Sequence, residues 1–164
     1  MSHLDFLSPD LASADAVWSS PLERALSHAP AGMEDLSRTG VLEVRGELDG
    51  LDAGGAEVVR LTPERALVLC TFEEPGRLRS RLAGARRQVF DLSAGWAGLQ
   101  IRGETLLRRL TDLDLEALPA IGLLAHVHAL VIRDDGETFR LYFPQEFGHS
   151  VAEAVVDAAE GLAG

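Results

Sequence analysis

The sequence predicts an α+β fold made of two pseudo-repeated, strand-rich halves, with antiparallel sheet and helices on one face. Three observations carry this prediction. Residues 35–47 read Asp-Leu-Ser-Arg-Thr-Gly-Val-Leu-Glu-Val-Arg-Gly-Glu, and residues 91–104 read Asp-Leu-Ser-Ala-Gly-Trp-Ala-Gly-Leu-Gln-Ile-Arg-Gly-Glu. Both copies open on Asp-Leu-Ser and close on Arg-Gly-Glu, an internal echo that speaks of how the chain is built. Short runs of alternating apolar and polar residues recur between turn signals, and the C-terminal stretch has helical periodicity.

The elements follow in order. Residues 1–32 have weak periodicity and are rich in Ser, Pro and Ala; they read as a partly ordered arm with a short helix at Pro21–Ser27, where proline suits the first turn. Residues 33–164 form a single domain built from half-repeats 35–85 and 88–162. In Val41–Arg45, Leu42 and Val44 alternate with Glu43 and Arg45, the mark of a half-buried strand. After the Gly- and Asp-rich loop 47–56, strands Val58–Leu61 and Ala66–Phe72 flank a tight turn at Thr62–Arg65. The second of these is almost wholly apolar and reads as a central strand. Pro75–Ala83 is a helix with Leu78 and Leu82 on one face.

The second half repeats the order. Gln88–Leu92 and Gly98–Arg102 are strands, Glu104–Leu110 is a helix, and a leucine-rich connection runs to Pro119. Strands His126–Arg133 and Thr138–Phe143 flank the hairpin signal Asp134-Asp135-Gly136. The last helix, Gln145–Leu162, places Phe147, Val151, Val155, Ala158 and Leu162 at helical spacing.

Composition narrows the function. A net charge of −11 opposes nucleic acid, and no apolar run reaches the length of a membrane span. The N-terminus has no secretory signal pattern and Cys70 is the single cysteine, so a cytoplasmic location is expected. All 15 basic residues are arginine, so there is no lysine for a Schiff base or a phosphate loop. Gly46, Gly50, Gly54 and Gly55 lack dinucleotide-fingerprint spacing.

Candidate chemistry is sparse. His126 and His128, two apart on a predicted strand, would project from one face, but a metal site needs further ligands. His149 opens the last helix, and Cys70 in an apolar strand reads as an inert, buried thiol. Ser37 and Ser93 lack a nucleophile-elbow context, and Asp35 and Asp91 read as turn caps. Asp112–Glu116 is an acidic loop face. Arg77, Arg79, Arg81, Arg86 and Arg87 are the one dense basic segment, suited either to an acidic partner or to a solvated surface. No catalytic or metal-binding residue emerges.

The second half resembles the amino-terminal region of the folate-binding aminomethyltransferase superfamily, which includes the glycine cleavage T-protein. Asp91, Ser93, Gly95 and Gly103 match its turn and strand, followed by Thr105-Leu-Leu-Arg-Arg-Leu110. Within that superfamily, the short chain, Ser20-Pro21-Leu22 and the Thr138–Pro144 ending most resemble the sarcosine oxidase gamma subunit family. Ala94 stands where the transferases usually have histidine, and Glu104-Thr105 replaces their Asp-Ala. Their acidic pair entering the strand equivalent to His126–Arg133 is missing, so no catalytic residue is carried over. The resemblance implies an accessory, non-catalytic chain. Its partners would be larger flavoprotein subunits that carry FAD, FMN, NAD and tetrahydrofolate, while this chain binds no cofactor itself. The alternative is a stand-alone folate-like ligand-binding protein with a remnant pocket near Asp91, Trp96 and Arg102.

Overall fold

Alternation along the strands sorts apolar side chains onto two faces, and both faces are covered. The structure, a computed structural model, describes residues 18–163. The predicted arm is therefore seen only from Trp18; residues 1–17 lie outside the described residues. The described elements begin with helix α1 (Glu23–Leu26) and strands β1 (Glu34–Asp35) and β2 (Thr39–Gly46). Hairpin β3 (Glu57–Thr62) and β4 (Arg65–Thr71) leads to α2 (Pro75–Leu82) and β5 (Arg87–Asp91). The second half contains β6 (Trp96–Arg102), α3 (Glu104–Leu110), β7 (Ala120–Leu124), β8 (Val127–Arg133), β9 (Thr138–Pro144) and α4 (Gly148–Ala163).

Two antiparallel sheets result, one ordered β3-β4-β2-β5 and the other β1-β6-β9-β8-β7. Their inner faces meet through Val41, Val59, Leu67 and Leu69 from the first and Leu130, Ile132 and Tyr142 from the second. On the outer face of the first sheet, Leu78 and Leu82 of α2 cover Leu42, Val44 and Val68. On the outer face of the second, Leu106, Leu107, Val151 and Val155 cover Leu99, Ile101, Val131 and Leu141. Each fully buried leucine or valine contributes roughly 1.5–3 kcal/mol relative to exposure. Helices thus occupy one face of each sheet. The arm is anchored where it is described, since Leu22 is buried in the second sheet's core and Pro21 packs at Gly148.

The sequence echo reappears in the strand pairing. Val41 pairs with Leu69 as Gly98 pairs with Tyr142. Val59 pairs with Leu67 as Ile132 pairs with Arg140, and Leu42 pairs with Asp91 as Leu99 pairs with Asp35. The Asp-Leu-Ser turns cross between sheets. The first carries the chain from β1 in one sheet to β2 in the other; the second carries it from β5 back to β6. Their contacts match: Leu36 N donates to Gly98 O at 2.8 Å and Leu92 N to Val41 O at 2.9 Å. Gly98 N donates to the Ser37 hydroxyl at 3.3 Å, and Val41 N donates to the Ser93 hydroxyl at 3.0 Å.

Three local features differ from expectation. Between the leucine-rich connection and the predicted strand His126–Arg133 lies a further strand, β7, where the sequence reading assigns no element. His126 lies in the two-residue β7–β8 turn rather than in a strand: Ala125 (φ 46°) and His126 (φ 68°) both adopt the left-handed conformation that such turns require. His126 and His128 therefore do not project from one strand face as predicted. The last helix begins at Gly148, after a 3-10 turn over Gln145–Phe147.

Candidate functional site

An opening lies where one end of the inter-sheet layer is left unfilled. It is an open cleft of about 530 Å³, lined by Glu34, Leu36, Thr39, Glu57, Cys70, Arg140 and Tyr142 among others. Its origin is a break in the pseudo-symmetry. Counting back from the shared Arg-Gly-Glu, Thr39 occupies the place of Trp96, and counting back from the shared Asp-Leu-Ser, Glu34 occupies the place of Phe90. A small hydroxyl and a carboxylate thus stand where the other half carries two large aromatic rings.

Arg140 holds this cleft together. Strand alternation turns Arg140 and Tyr142 toward the first sheet while Phe139, Leu141 and Phe143 face the helices. The guanidinium forks onto Glu57 of β3, with Nη1–Oε2 at 2.8 Å and Nη2–Oε1 at 3.0 Å. It also donates to Asp134 from Nε and Nη2, at 2.6–2.9 Å. Burial alone would lower its pKa, but the bonds to Glu57 and Asp134 outweigh this and raise it above the ordinary arginine value. The pair Arg140–Glu57 is a charged tie between the two sheets, with the guanidinium held in a fixed plane.

Several other polar groups of the cleft are already engaged. Gln100 Nε2 donates to Glu34 at 3.2 Å, and the Thr39 hydroxyl donates to Leu36 O at 2.7 Å. Arg38 pairs with Glu73 at 3.5 Å and lies 5.6 Å from the ring centroids of both Trp18 and Phe72. Burial, reinforced by the negative fields of Glu74 and Asp91, pushes the Cys70 thiol up to about 11. At neutral pH the sulfur is a protonated thiol and a poor nucleophile. The cleft can bind through its charged rim and apolar floor, but it offers no activated nucleophile.

A second charged centre was missed by sequence reading. Glu43 is 3% exposed and accepts from Arg45 at 2.8 Å and from Arg65. Burial pushes its carboxyl up, yet the Arg45 and Arg65 guanidiniums more than offset this and hold it below the usual carboxylate range. The alternation in β2 marked Glu43 as solvent-facing, but that face is the one turned toward the second sheet. The available signal was the arginines at 45 and 65, which face each other across β2 and β4.

The residues singled out from sequence are scattered. Asp91 accepts from Ser93 N at 3.0 Å and from the Ser93 hydroxyl at 2.7 Å, which makes it a turn residue. Trp96 packs half-buried against the inter-sheet core. Arg102 stands at the opposite end of β6, about 20 Å from Trp96 at the strand rise per residue. There it lines a separate pocket of about 260 Å³ with Pro30, Leu106 and Leu162. The three do not converge on one cavity. Of the basic segment, Arg77, Arg81 and Arg86 pair with Glu74, Asp52 and Glu47, and Arg87 donates to the carbonyls of Glu47 and Asp49. His149 Nε2 lies 3.2 Å from Glu153. No cluster of three or more potential metal ligands occurs among the described residues.

Comparison with solved structures places this architecture. A chain of the heterotetrameric sarcosine oxidase from Corynebacterium sp. U-96 superposes with a TM-score of 0.72 at 20% identity, covering 90% of this chain and 97% of that one. The chain has this sarcosine oxidase-type fold. The glycine cleavage system aminomethyltransferase T from Bartonella henselae superposes with a TM-score of 0.56 at 18% identity, covering 82% of this chain but 48% of the transferase. The sarcosine oxidase-type fold seen here thus spans about half the length of that transferase. No protein-family model matches the sequence, and no curated protein matches it either.

Proposed function

We propose that this chain is a non-catalytic, gamma-like accessory subunit of a heterotetrameric sarcosine oxidase-type complex, which demethylates N-methyl amino acids oxidatively in one-carbon metabolism. The observation that carries the reading is the reciprocal coverage of the likeness, 90% of this chain and 97% of the sarcosine oxidase chain. The superposition takes in nearly all of that sarcosine oxidase chain, whereas it takes in 48% of the transferase. The site chemistry supports it: the cleft's thiol is protonated at neutral pH, and Arg140 and Glu43 are spent on ties within the fold.

In this reading the larger flavoprotein subunits hold FAD, FMN, NAD and tetrahydrofolate, this chain holds none of them, and the assembly is cytoplasmic. No helix among the described residues is long and apolar enough to cross a membrane. The test is affinity purification of the tagged chain co-expressed with flavoprotein genes from its own genomic neighbourhood. Recovery of a stoichiometric, flavin-containing assembly is expected; a flavin-free chain recovered alone under the same conditions refutes the reading.

The open cleft of about 530 Å³ favours one alternative, a stand-alone folate-like ligand-binding protein. Trp18 sits against Arg38 on the cleft rim, so tetrahydrofolate bound there would quench tryptophan fluorescence. Unchanged fluorescence together with an unchanged melting temperature at millimolar tetrahydrofolate eliminates this alternative.

A further inference from the structure

The described sheets end in four edge strands, β1, β3, β5 and β7. Three are protected in the usual ways. β1 is two residues long and acidic, β3 carries Glu57 and Arg60, and β5 carries Arg87 and Asp91, with Arg45 lying 5.1 Å from the Phe90 ring centroid. β7 differs. Its sequence, Ala120-Ile121-Gly122-Leu123-Leu124, has no charge and no proline, and the pseudo-symmetry supplies no counterpart to it in the first sheet.

Ile121 pairs with Leu130 and Leu123 with His128, so both side chains point to the inter-sheet face. Leu130 on that face is fully buried, whereas Ile121 is 38% and Leu123 55% exposed because β7 overhangs the smaller sheet. The backbone is open except at the Leu123 carbonyl. The Thr111 hydroxyl donates to Leu123 O at 2.6 Å, which shows that Leu123 presents its polar groups outward from the ladder. By antiparallel alternation Ile121 does the same. Neither its N–H, its C=O nor the Leu123 N–H has a partner from a loop or side chain among the described residues.

We propose that β7 is the docking edge for a larger partner subunit, which adds an extended apolar segment flanked by basic residues as a sixth strand. The inference rests on the accessory-subunit reading and names the surface that reading requires. Main-chain bonds to the Ile121 N–H and C=O and to the Leu123 N–H would supply pairing, and apolar side chains on the added strand would cover Ile121 and Leu123. The charge requirement comes from the segment leading into β7. Asp112, Asp114 and Glu116 are all exposed there; Arg133 reaches Glu116 only at 3.9 Å, and although Arg108 and Arg109 line a pocket beside Asp112, neither Asp112 nor Asp114 forms an ion pair among the described residues. The same charges disfavour a second copy as occupant, since two chains of net charge −11 would bring like-charged rims together.

The test uses the tagged full chain co-expressed with its neighbouring flavoprotein subunits, scored by recovered flavin absorbance. Ile121→Lys and Leu123→Lys should each lower recovered flavoprotein about 10-fold or more, while Leu123→Ile retains it. Both side chains are exposed, so far-UV circular dichroism should be unchanged. Leu123→Thr, which keeps strand propensity, provides the same readout if a lysine variant loses its fold. The triple variant Asp112→Asn/Asp114→Asn/Glu116→Gln should slow association and flatten its salt dependence. Undiminished flavoprotein recovery with both lysine variants overturns β7 docking and leaves the accessory role standing. A wild-type chain that recovers no flavoprotein overturns both. A wild-type homodimer that Leu123→Lys dissociates assigns the edge to a second copy and overturns the proposal.

Discussion

Replacing Arg140 tests whether the tie across the cleft stabilises the fold. The Arg140 side chain is 17% exposed, and its carboxylate partners Glu57 and Asp134 are 42% and 33% exposed. A buried charge-assisted bond would be worth about 1.5–3 kcal/mol, and a fully exposed pair about 0–1 kcal/mol. With a largely buried guanidinium but carboxylates that water can reach, each pair should contribute about 1 kcal/mol. Arg140→Met keeps most of the side-chain volume and removes both pairs, so it should cost about 2 kcal/mol. That loss corresponds to a melting temperature lower by roughly 4–8 °C for a chain of this size. Arg140→Lys restores the charge without the fork and should recover about half of the loss. Urea unfolding followed by circular dichroism gives the free energies. A double-mutant cycle with Glu57→Gln should give a coupling of about 1 kcal/mol. If Arg140→Met is as stable as the wild type, or more stable, the tie only offsets its own desolvation and the reasoning fails.

Glu43 gives a pH-dependent prediction. Its pKa is lowered in the folded state, so its contribution is complete above the unfolded value near 4.5 and is lost as pH falls through the lower folded value. Glu43→Gln should therefore destabilise the chain at pH 7 and flatten its acid-side decline, which urea midpoints between about pH 7 and pH 3 would show; parallel profiles for variant and wild type would contradict this. At Gly98, an added Cβ would lie 2.8 Å from both Leu36 O and the Tyr142 ring. Gly98→Ala should cost about 1–3 kcal/mol in urea unfolding, and an unchanged midpoint would count against so tight a crossing. Ser93→Ala, which removes the hydroxyl serving Val41 N, should cost about 1 kcal/mol in the same assay. With its thiol pKa at about 11, Cys70 should react with iodoacetamide at pH 8 roughly 100-fold more slowly than a free thiol. A rate matching glutathione would remove the physical basis for its inertness.

Local structure was legible wherever a short-range rule governs it. The β3–β4 and β8–β9 hairpins, α2 and α4 follow from turn residues and periodicity, and the Asp-Leu-Ser echo was visible as written. Two matters needed the third dimension. Alternation in β2 and β9 separates Leu42 from Glu43 and Phe139 from Arg140, but it does not say that both faces are covered. Glu43 therefore reads as solvent-facing until the second sheet is seen above it, and nothing in the sequence singles out Arg140. β7 was hidden because its run of apolar residues follows others in the connection, and its turn uses Ala125 and His126 instead of glycine or asparagine. The cleft was illegible for a related reason: the echo aligns Thr39 with Trp96 and Glu34 with Phe90, but only the folded sheets bring Thr39 and Glu34 to one opening.

The paired sheet-to-sheet turns also limit how the chain can be cut. Severed within residues 83–86, it would yield one fragment holding β1 to β4 and another holding β5 to β9. Each fragment would then retain an edge strand whose neighbours are all in the other, β1 beside β6 and β5 beside β2. The arrangement is that of a strand-exchanged dimer whose two members happen to be covalently joined. Such fragments should be insoluble separately and complement each other when mixed, and no stable miniature of either half is to be expected. The same reciprocity should make the two halves unfold together, in one calorimetric transition rather than two.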